Sequence, residues 1–154
     1  MRQDGRLDLA KLLAAFQEFF REHSEHWVER FQYKEAGPQL LLQAFLQRVV
    51  NGGGRIEREY GLGRMRTDLL VLWPLPALPT AQPSSEHRPA VQKIVTELKL
   101  LRKSLEQTWA YLDRCGAEEG YLVIFDRTPG KSWETRLFQR RETVRGCTIS
   151  VWGM

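Results

Sequence analysis

Three charged side chains on two consecutive predicted strands have the types and spacing of a metal-dependent phosphodiesterase site. Asp68 opens the apolar run of one strand, and Glu97 and Lys99 lie two residues apart in the next. Residues two apart in a strand project from the same face, so the head groups of Glu97 and Lys99 are expected to converge. Two neighbouring carboxylates repel each other, and a divalent cation that prefers oxygen ligands removes that cost. The pattern predicts Asp68 and Glu97 as ligands of Mg²⁺ or Mn²⁺, with the carbonyl of Leu98 as a further ligand.

Lys99 is the predicted cationic partner in the reaction. A bound divalent ion polarises a phosphodiester and lowers the pKa of a coordinated water towards neutrality. The Lys99 ammonium would orient that water or stabilise the negative charge that builds up at phosphorus. The alternative interpretation of Glu97-x-Lys99 is an ordinary surface ion pair, and that of Asp68 is a residue that merely starts a strand.

The elements that must position these side chains follow from the periodicity of the apolar residues. Leu9, Leu12, Leu13 and Phe16 recur at three- and four-residue intervals, which is typical of a helix, whereas the period changes to two after Gly54. The succession of helix, three strands, helix and strand indicates an α/β fold in which helices cover both faces of a central mixed sheet. The predicted helices are 7–30, 38–50, 103–115 and 132–141, and the predicted strands are 55–60, 66–73, 91–101, 121–126 and 147–152.

Composition is that of an ordinary globular domain. The chain has 154 residues, of which 42% are hydrophobic and 27% charged, and no apolar run is long enough to span a membrane. The N-terminal sequence contains acidic residues and no small-residue cleavage site, so no secretory signal is expected. Cys115 and Cys147 lack metal-ligand spacing, so a reduced, cytoplasmic protein is expected. The net charge of +4 permits nucleic-acid binding without being diagnostic of it.

Three segments together resemble the PD-(D/E)XK nuclease superfamily. They are Gly63–Leu70, which contains Asp68, then Val95–Lys99, then Gln107-x-x-x-Tyr111. The last motif resembles the one that follows the Glu-x-Lys strand in RecB-type exonuclease domains. The resemblance implies a restriction-endonuclease-like, three-layer α/β/α fold and a metal-dependent nuclease.

Four further segments carry a closer resemblance, and they are Tyr33–Gly37, Asn51–Gly54, Gly120–Arg127 and Val151–Met154. They resemble the C-terminal nuclease-like domain of bacterial AAA-type ATP-binding proteins, and the resemblance covers nearly the whole chain. This implies an ATPase domain upstream of this chain or interacting with it. Asn51-Gly52-Gly53-Gly54-Arg55 lacks the ending of a phosphate-binding loop, so no ATPase is expected within the chain itself.

The resemblance also implies further site residues. Glu35, ahead of the second helix, is predicted to complete the acidic set, and Glu59 on the first strand is the second choice. The alternative interpretation of Glu35 is a carboxylate that favours the helix dipole. Gln107 and Tyr111 lie four apart on one helical face and are predicted to contact the metal site or the DNA backbone. Their alternative is a core tyrosine beside a chance glutamine. Arg64 and Arg66 are predicted to bind the substrate.

Three functions remain open from the sequence. The first is an Mg²⁺- or Mn²⁺-dependent nuclease acting on DNA, or alternatively RNA. The second is a catalytically weak or inactive module that retains the nuclease fold for binding nucleic acid or protein. The third is a domain that forms homo-oligomers through the first helix. Residues 1–30 are expected to be a helical lead-in, and 31–154 the nuclease-like domain.

Overall fold

In the computed structural model, the described part of the chain forms six strands and four helices around one sheet. The description covers residues 1–30, 36–62, 65–76, 90–99, 105–126, 128 and 130–154, without the side chains of 24–30, 36, 37, 39, 59–62, 65–67 and 99. The elements are α1 (Leu9–Arg30), α2 (Ala36–Val50), β1 (Arg55–Leu62), β2 (Met65–Pro74), β3 (Val91–Lys99), α3 (Leu105–Cys115), β4 (Glu119–Ile124), α4 (Trp133–Arg136), β5 (Phe138–Val144) and β6 (Cys147–Gly153).

The strands form a mixed sheet in the order β1-β2-β3-β4-β6-β5. The first three strands are an antiparallel meander, and β4 is parallel to both β3 and β6. The outer strand β5 is antiparallel to β6. A parallel neighbour requires a crossover connection, and α3 lies in the one between β3 and β4. The predicted α/β class with a central mixed sheet is therefore confirmed.

The helices α1 and α2 cover one face of the sheet. Leu9, Leu13 and Phe16 are fully buried, and they share one apolar cluster with Leu46 of α2 and Val71 of β2. Their three- and four-residue spacing places them on one side of α1. Burying a side chain of this size contributes roughly 1.5–3 kcal/mol, so α1 is an integral part of the core.

The helix α3 covers the opposite face. Tyr111, Leu112 and Cys115 are buried in a second cluster that contains Leu70 of β2 and Val95 of β3. Burial also raises the pKa of the Cys115 thiol. The sheet thus lies between helical layers on its two faces, as predicted.

The predicted helix 132–141 is wrong beyond residue 136. The helix α4 spans only Trp133–Arg136, and the chain then forms the strand β5. The reason is a two-residue hairpin: Val144 pairs with Cys147, and Arg145 and Gly146 both have positive φ, 48° and 81°. Such a turn matches the twist of an antiparallel pair, so pairing with β6 outweighs the helical signal that begins at Ser132.

A polar network anchors the N-terminal segment to the sheet. The Arg2 guanidinium donates two hydrogen bonds of 2.8 Å to the Glu119 carboxylate, which also accepts from Gln92 and from the Tyr121 hydroxyl, each at 2.9 Å. The backbone N–H of Leu7 donates to the buried Gln92 side chain at 2.9 Å. Burial, together with the adjacent Glu119, raises the pKa of Tyr121 well above its usual range. Residues 1–8 are therefore bound to the sheet, and the domain boundary at residue 30 stays a prediction.

The remaining sequence-based elements agree with the structure to within a few residues at their ends. The start of α2, predicted at Pro38, is at Ala36, and the final strand is observed at Cys147–Gly153. The predicted break between residues 31 and 38 lies largely outside the described residues. Of the helices that the structure describes, none has both the length and the apolar character needed to cross a membrane.

Candidate active site

Asp68 and Glu97 lie side by side on the adjacent strands β2 and β3. The antiparallel register pairs Leu69 with Thr96, so Asp68 and Glu97 form the next opposed position. Directly opposed residues project from the same face of a sheet. That face is the one covered by α3, because Leu70, two residues after Asp68, belongs to the α3-side cluster.

Each of the two carboxylates accepts a hydrogen bond from the backbone of the opposite strand. The Asp68 N–H donates to Glu97 Oε1 at 3.1 Å, and the Leu98 N–H donates to Asp68 Oδ2 at 2.8 Å. The backbone pairing between β2 and β3 extends to Leu69 and Thr96, so these side-chain bonds continue the contact where the ladder stops. Each acidic side chain is thereby held against the backbone of the opposite strand.

Two ionised carboxylates placed close together at this position would repel each other. Glu97 is fully buried, and Asp68 is half-buried. Two carboxylates at about 4 Å repel each other by roughly 4 kcal/mol at an effective dielectric constant of 20. A cation beside both oxygens would reverse the sign of that contribution, which is the physical reason to consider a metal here.

The donors at this position fit a hard divalent ion in kind. Carboxylate and carbonyl oxygens are the usual ligands of Mg²⁺, which keeps several waters and needs only one or two carboxylates. Leu98, the predicted carbonyl ligand, directly follows Glu97, and its backbone N–H donates to Asp68, so its backbone is next to both acids. Within the described residues there is no group of three or more His, Cys, Asp or Glu side chains that could hold a metal ion.

The side chains of four other predicted site residues lie outside the described part of the structure. Lys99 is the last residue of β3, and Arg66 lies in β2, but their side chains are outside the description. Glu35 and Arg64 lie outside the described residues altogether. The backbone of Lys99 is paired with Ile124, which places it at the carboxyl end of β3 beside the end of β4.

Gln107 and Tyr111 contact each other on one face of α3. The Gln107 amide donates a hydrogen bond of 2.6 Å to the Tyr111 hydroxyl. Tyr111 is only 3% exposed and packs in the cluster that contains Leu70 and Val95. Leu70 and Val95 are the same-face neighbours of the two acids on their strands. The motif therefore belongs to the layer that covers the acidic pair, and the ring of Tyr111 has a clear packing role.

A feature that the sequence did not predict lies beyond the carboxyl end of β4, beside the end of β3. Asp126 follows β4, and its carboxylate accepts hydrogen bonds from Lys131 and from the N–H (3.0 Å) and hydroxyl (2.6 Å) of Thr128. The hydrogen bond from Lys131, and to a smaller extent those from Thr128, hold the pKa of Asp126 far below its usual range. The Asp-x-Thr spacing, which favours a side-chain-closed turn, was the available signal.

Comparisons with known proteins give no family for this chain. No profile of a known protein family, no curated protein and no solved structure matches it. The geometry of Asp68, Glu97 and their neighbours is accordingly the basis for any functional conclusion.

Proposed function

We propose that this domain is a metal-dependent nuclease that hydrolyses phosphodiester bonds of DNA. The observation that carries the proposal is the contact between two acids on adjacent strands, Asp68 with Glu97, one of them fully buried. Two acids on neighbouring strands supply the oxygen ligands that Mg²⁺ or Mn²⁺ prefers.

The residues have distinct roles in this proposal. Asp68 and Glu97 hold the ion, with the Leu98 carbonyl as a further oxygen ligand and Glu35 as an additional acid. The bound ion would supply Lewis-acid activation of the phosphodiester and of a water. Lys99 provides the positive charge that orients the attacking water or offsets charge at phosphorus. Arg64 and Arg66 bind the phosphate backbone of the substrate.

The order of elements supports the proposal at the level of fold. The antiparallel strands β1, β2 and β3 are followed by the crossover helix α3 and the parallel strand β4, with α1 and α2 on the other face. A restriction-endonuclease-like domain requires this succession around its acidic strands. Fold-level similarity is an analogy and carries less weight than the site. The proposal includes an AAA-type ATPase domain as partner and a cytoplasmic location.

A cleavage assay with conservative variants tests the proposal. Linear, nicked and single-stranded DNA are incubated with the protein and Mn²⁺, and products are resolved by electrophoresis. Asp68→Asn and Glu97→Gln keep an oxygen for the backbone hydrogen bonds but remove the charge, and Asp113→Asn on the exposed face of α3 is the matched control. Loss of several kcal/mol of electrostatic stabilisation predicts a decrease of about 100-fold or more in rate. Cleavage at wild-type rate by both site variants would refute the proposal.

A binding module without catalysis is the second candidate, and one observation favours it. Both carboxylates already serve as hydrogen-bond acceptors for opposite strands, at 2.8 and 3.1 Å, which gives them a structural role. Fluorescence anisotropy with labelled DNA in EDTA measures binding without metal. Binding in EDTA, combined with no cleavage in Mn²⁺, would select this candidate over the nuclease.

A further inference from the structure

Within the described part of the chain, β5 is one of the two outer strands of the sheet and has β6 as its neighbour. Residues 139–141 and 143 are exposed. An outer strand presents backbone N–H and C=O groups that can pair with a strand of another chain. The β5 edge is thus positioned for pairing, and its side chains decide with what.

The side chains on the α3 face of β5 form a self-complementary pattern. Phe138 and Val144 pack against the α3-side cluster, and between them lie Arg140 and Glu142, whose Nε and Oε1 atoms are 3.0 Å apart. The order along the strand is apolar, basic, acidic, apolar. The same strand in the reverse direction presents apolar, acidic, basic, apolar, which is the complement of the first pattern.

We infer that β5 pairs antiparallel with β5 of a second copy, around a two-fold axis at Arg141. This register sets Arg140 opposite Glu142 of the partner subunit and Phe138 opposite Val144 of the partner subunit. Opposed side chains in an antiparallel pair have Cβ atoms about 4.5–5.5 Å apart, within reach of an ion pair. Arg140 and Glu142 are 45% and 38% exposed, so both are accessible to a second chain. The result is one continuous sheet with α3 of both copies on the same side.

The backbone of β5 supports the same register. The residues that flank a two-residue hairpin loop exchange hydrogen bonds, so Val144 and alternate residues before it direct their backbone groups to β6. The groups of Gln139, Arg141 and Thr143 then point outward. Centring the axis on Arg141 pairs these three residues with their counterparts and forms about six backbone hydrogen bonds.

The charged side chains of β5 affect how readily the strand pairs with a second copy. Charged side chains on outer strands commonly prevent pairing, but on this face their signs alternate, so an antiparallel copy meets opposite charges. Arg141 faces its own counterpart across the axis on the other side of the sheet, which opposes association by a few tenths of a kcal/mol. The dimer is accordingly expected to be weak, because strand pairing alone buries less than the roughly 1,200 Å² of a standard interface.

Sedimentation equilibrium of the whole chain over a concentration series tests the inference. The wild-type mass should rise from 18.0 kDa towards twice that value. Arg140→Glu should reduce dimer formation at least about 10-fold, because it places a second carboxylate opposite Glu142 of the partner subunit. The exchanged variant Arg140→Glu with Glu142→Arg restores opposite charges across the axis and should restore the dimer. Arg141→Thr should strengthen it.

The other outer strand offers a matched control. Arg55 and Glu57 on β1 form an ion pair with the same two-residue spacing, so Arg55→Glu makes an equivalent charge change away from β5. Its mass should follow the wild type. A wild-type protein that stays at 18.0 kDa throughout, or an Arg140→Glu variant that dimerises as well as the wild type, would overturn the inference. The inference does not depend on nuclease activity.

Discussion

Replacing Glu119 with alanine tests the polar network through which the N-terminal segment contacts the sheet. In the wild type, this carboxylate accepts two hydrogen bonds from Arg2 at 2.8 Å, one from Gln92 at 2.9 Å and one from the Tyr121 hydroxyl at 2.9 Å. The side chain of Glu119 is only 18% exposed. The variant removes the shared acceptor and leaves its donors in place.

The expected loss is dominated by the buried donors. Tyr121 is 3% exposed, and its hydroxyl loses the Glu119 acceptor, which costs about 1–3 kcal/mol. The Gln92 amide keeps the backbone oxygen of Leu7, at 3.2 Å, so its loss is smaller. The half-exposed bidentate pair with Arg2 adds about 1 kcal/mol. Glu119→Ala is therefore expected to lower the free energy of unfolding by about 2–4 kcal/mol.

Urea denaturation followed by circular dichroism measures this change, and the neighbouring acid is a matched control. Glu118 also forms an ion pair with an arginine of the N-terminal segment, Arg6, but its side chain is 51% exposed. Glu118→Ala should lower the free energy of unfolding by less than about 1 kcal/mol. Equal effects of Glu118→Ala and Glu119→Ala, or a Glu119→Ala variant as stable as the wild type, would refute the account of this network.

Two further changes test the packing of α3 and the loop after β4. Gly120→Ala should lower the free energy of unfolding by about 1–3 kcal/mol in the same assay, because its Cβ would lie 2.5 Å from Leu112 Cδ1. A Gly120→Ala variant as stable as the wild type would show that α3 shifts freely. Asp126→Asn should cost about 0.5–1 kcal/mol at pH 7, since it removes the contact with Lys131. The pKa of Asp126 is lowered on folding, so its contribution is complete above the unfolded value of about 3.9 and declines as the pH falls below it. A difference between wild type and Asp126→Asn that grows on acidification would contradict this assignment.

Local periodicity was sufficient to predict most of the secondary structure, and it failed where pairing between distant segments decides. The spacing of Leu9, Leu13 and Phe16 predicted α1 because a buried helical face leaves a period in the sequence. Residues 138–141 of β5 were predicted as helix, because the strand depends on pairing with β6 and on the Arg145-Gly146 turn. The Arg2–Glu119 contact joins residues 117 positions apart, and no local pattern encodes it.

For the candidate site, the sequence indicated which acids meet but not how they are held. One acid on each of two consecutive predicted strands was enough to predict that Asp68 lies beside Glu97. The exchange of hydrogen bonds between their carboxylates and the opposite backbone depends on where the β2–β3 ladder ends, which no spacing specifies. The i,i+4 spacing of Gln107 and Tyr111 predicted a shared face, and their direct 2.6 Å hydrogen bond is seen only in the structure.

Calorimetric titration with Mn²⁺ tests the central claim, a divalent metal site shared by Asp68 and Glu97, most directly. The wild type and the Asp113→Asn control are expected to bind one ion per chain with the same heat. Asp68→Asn retains an oxygen for the Leu98 N–H and should keep the fold while weakening metal affinity by at least about 10-fold, as expected when a charged ligand is neutralised. No heat from the wild type at millimolar Mn²⁺, or equal affinity in Asp68→Asn, would contradict the account.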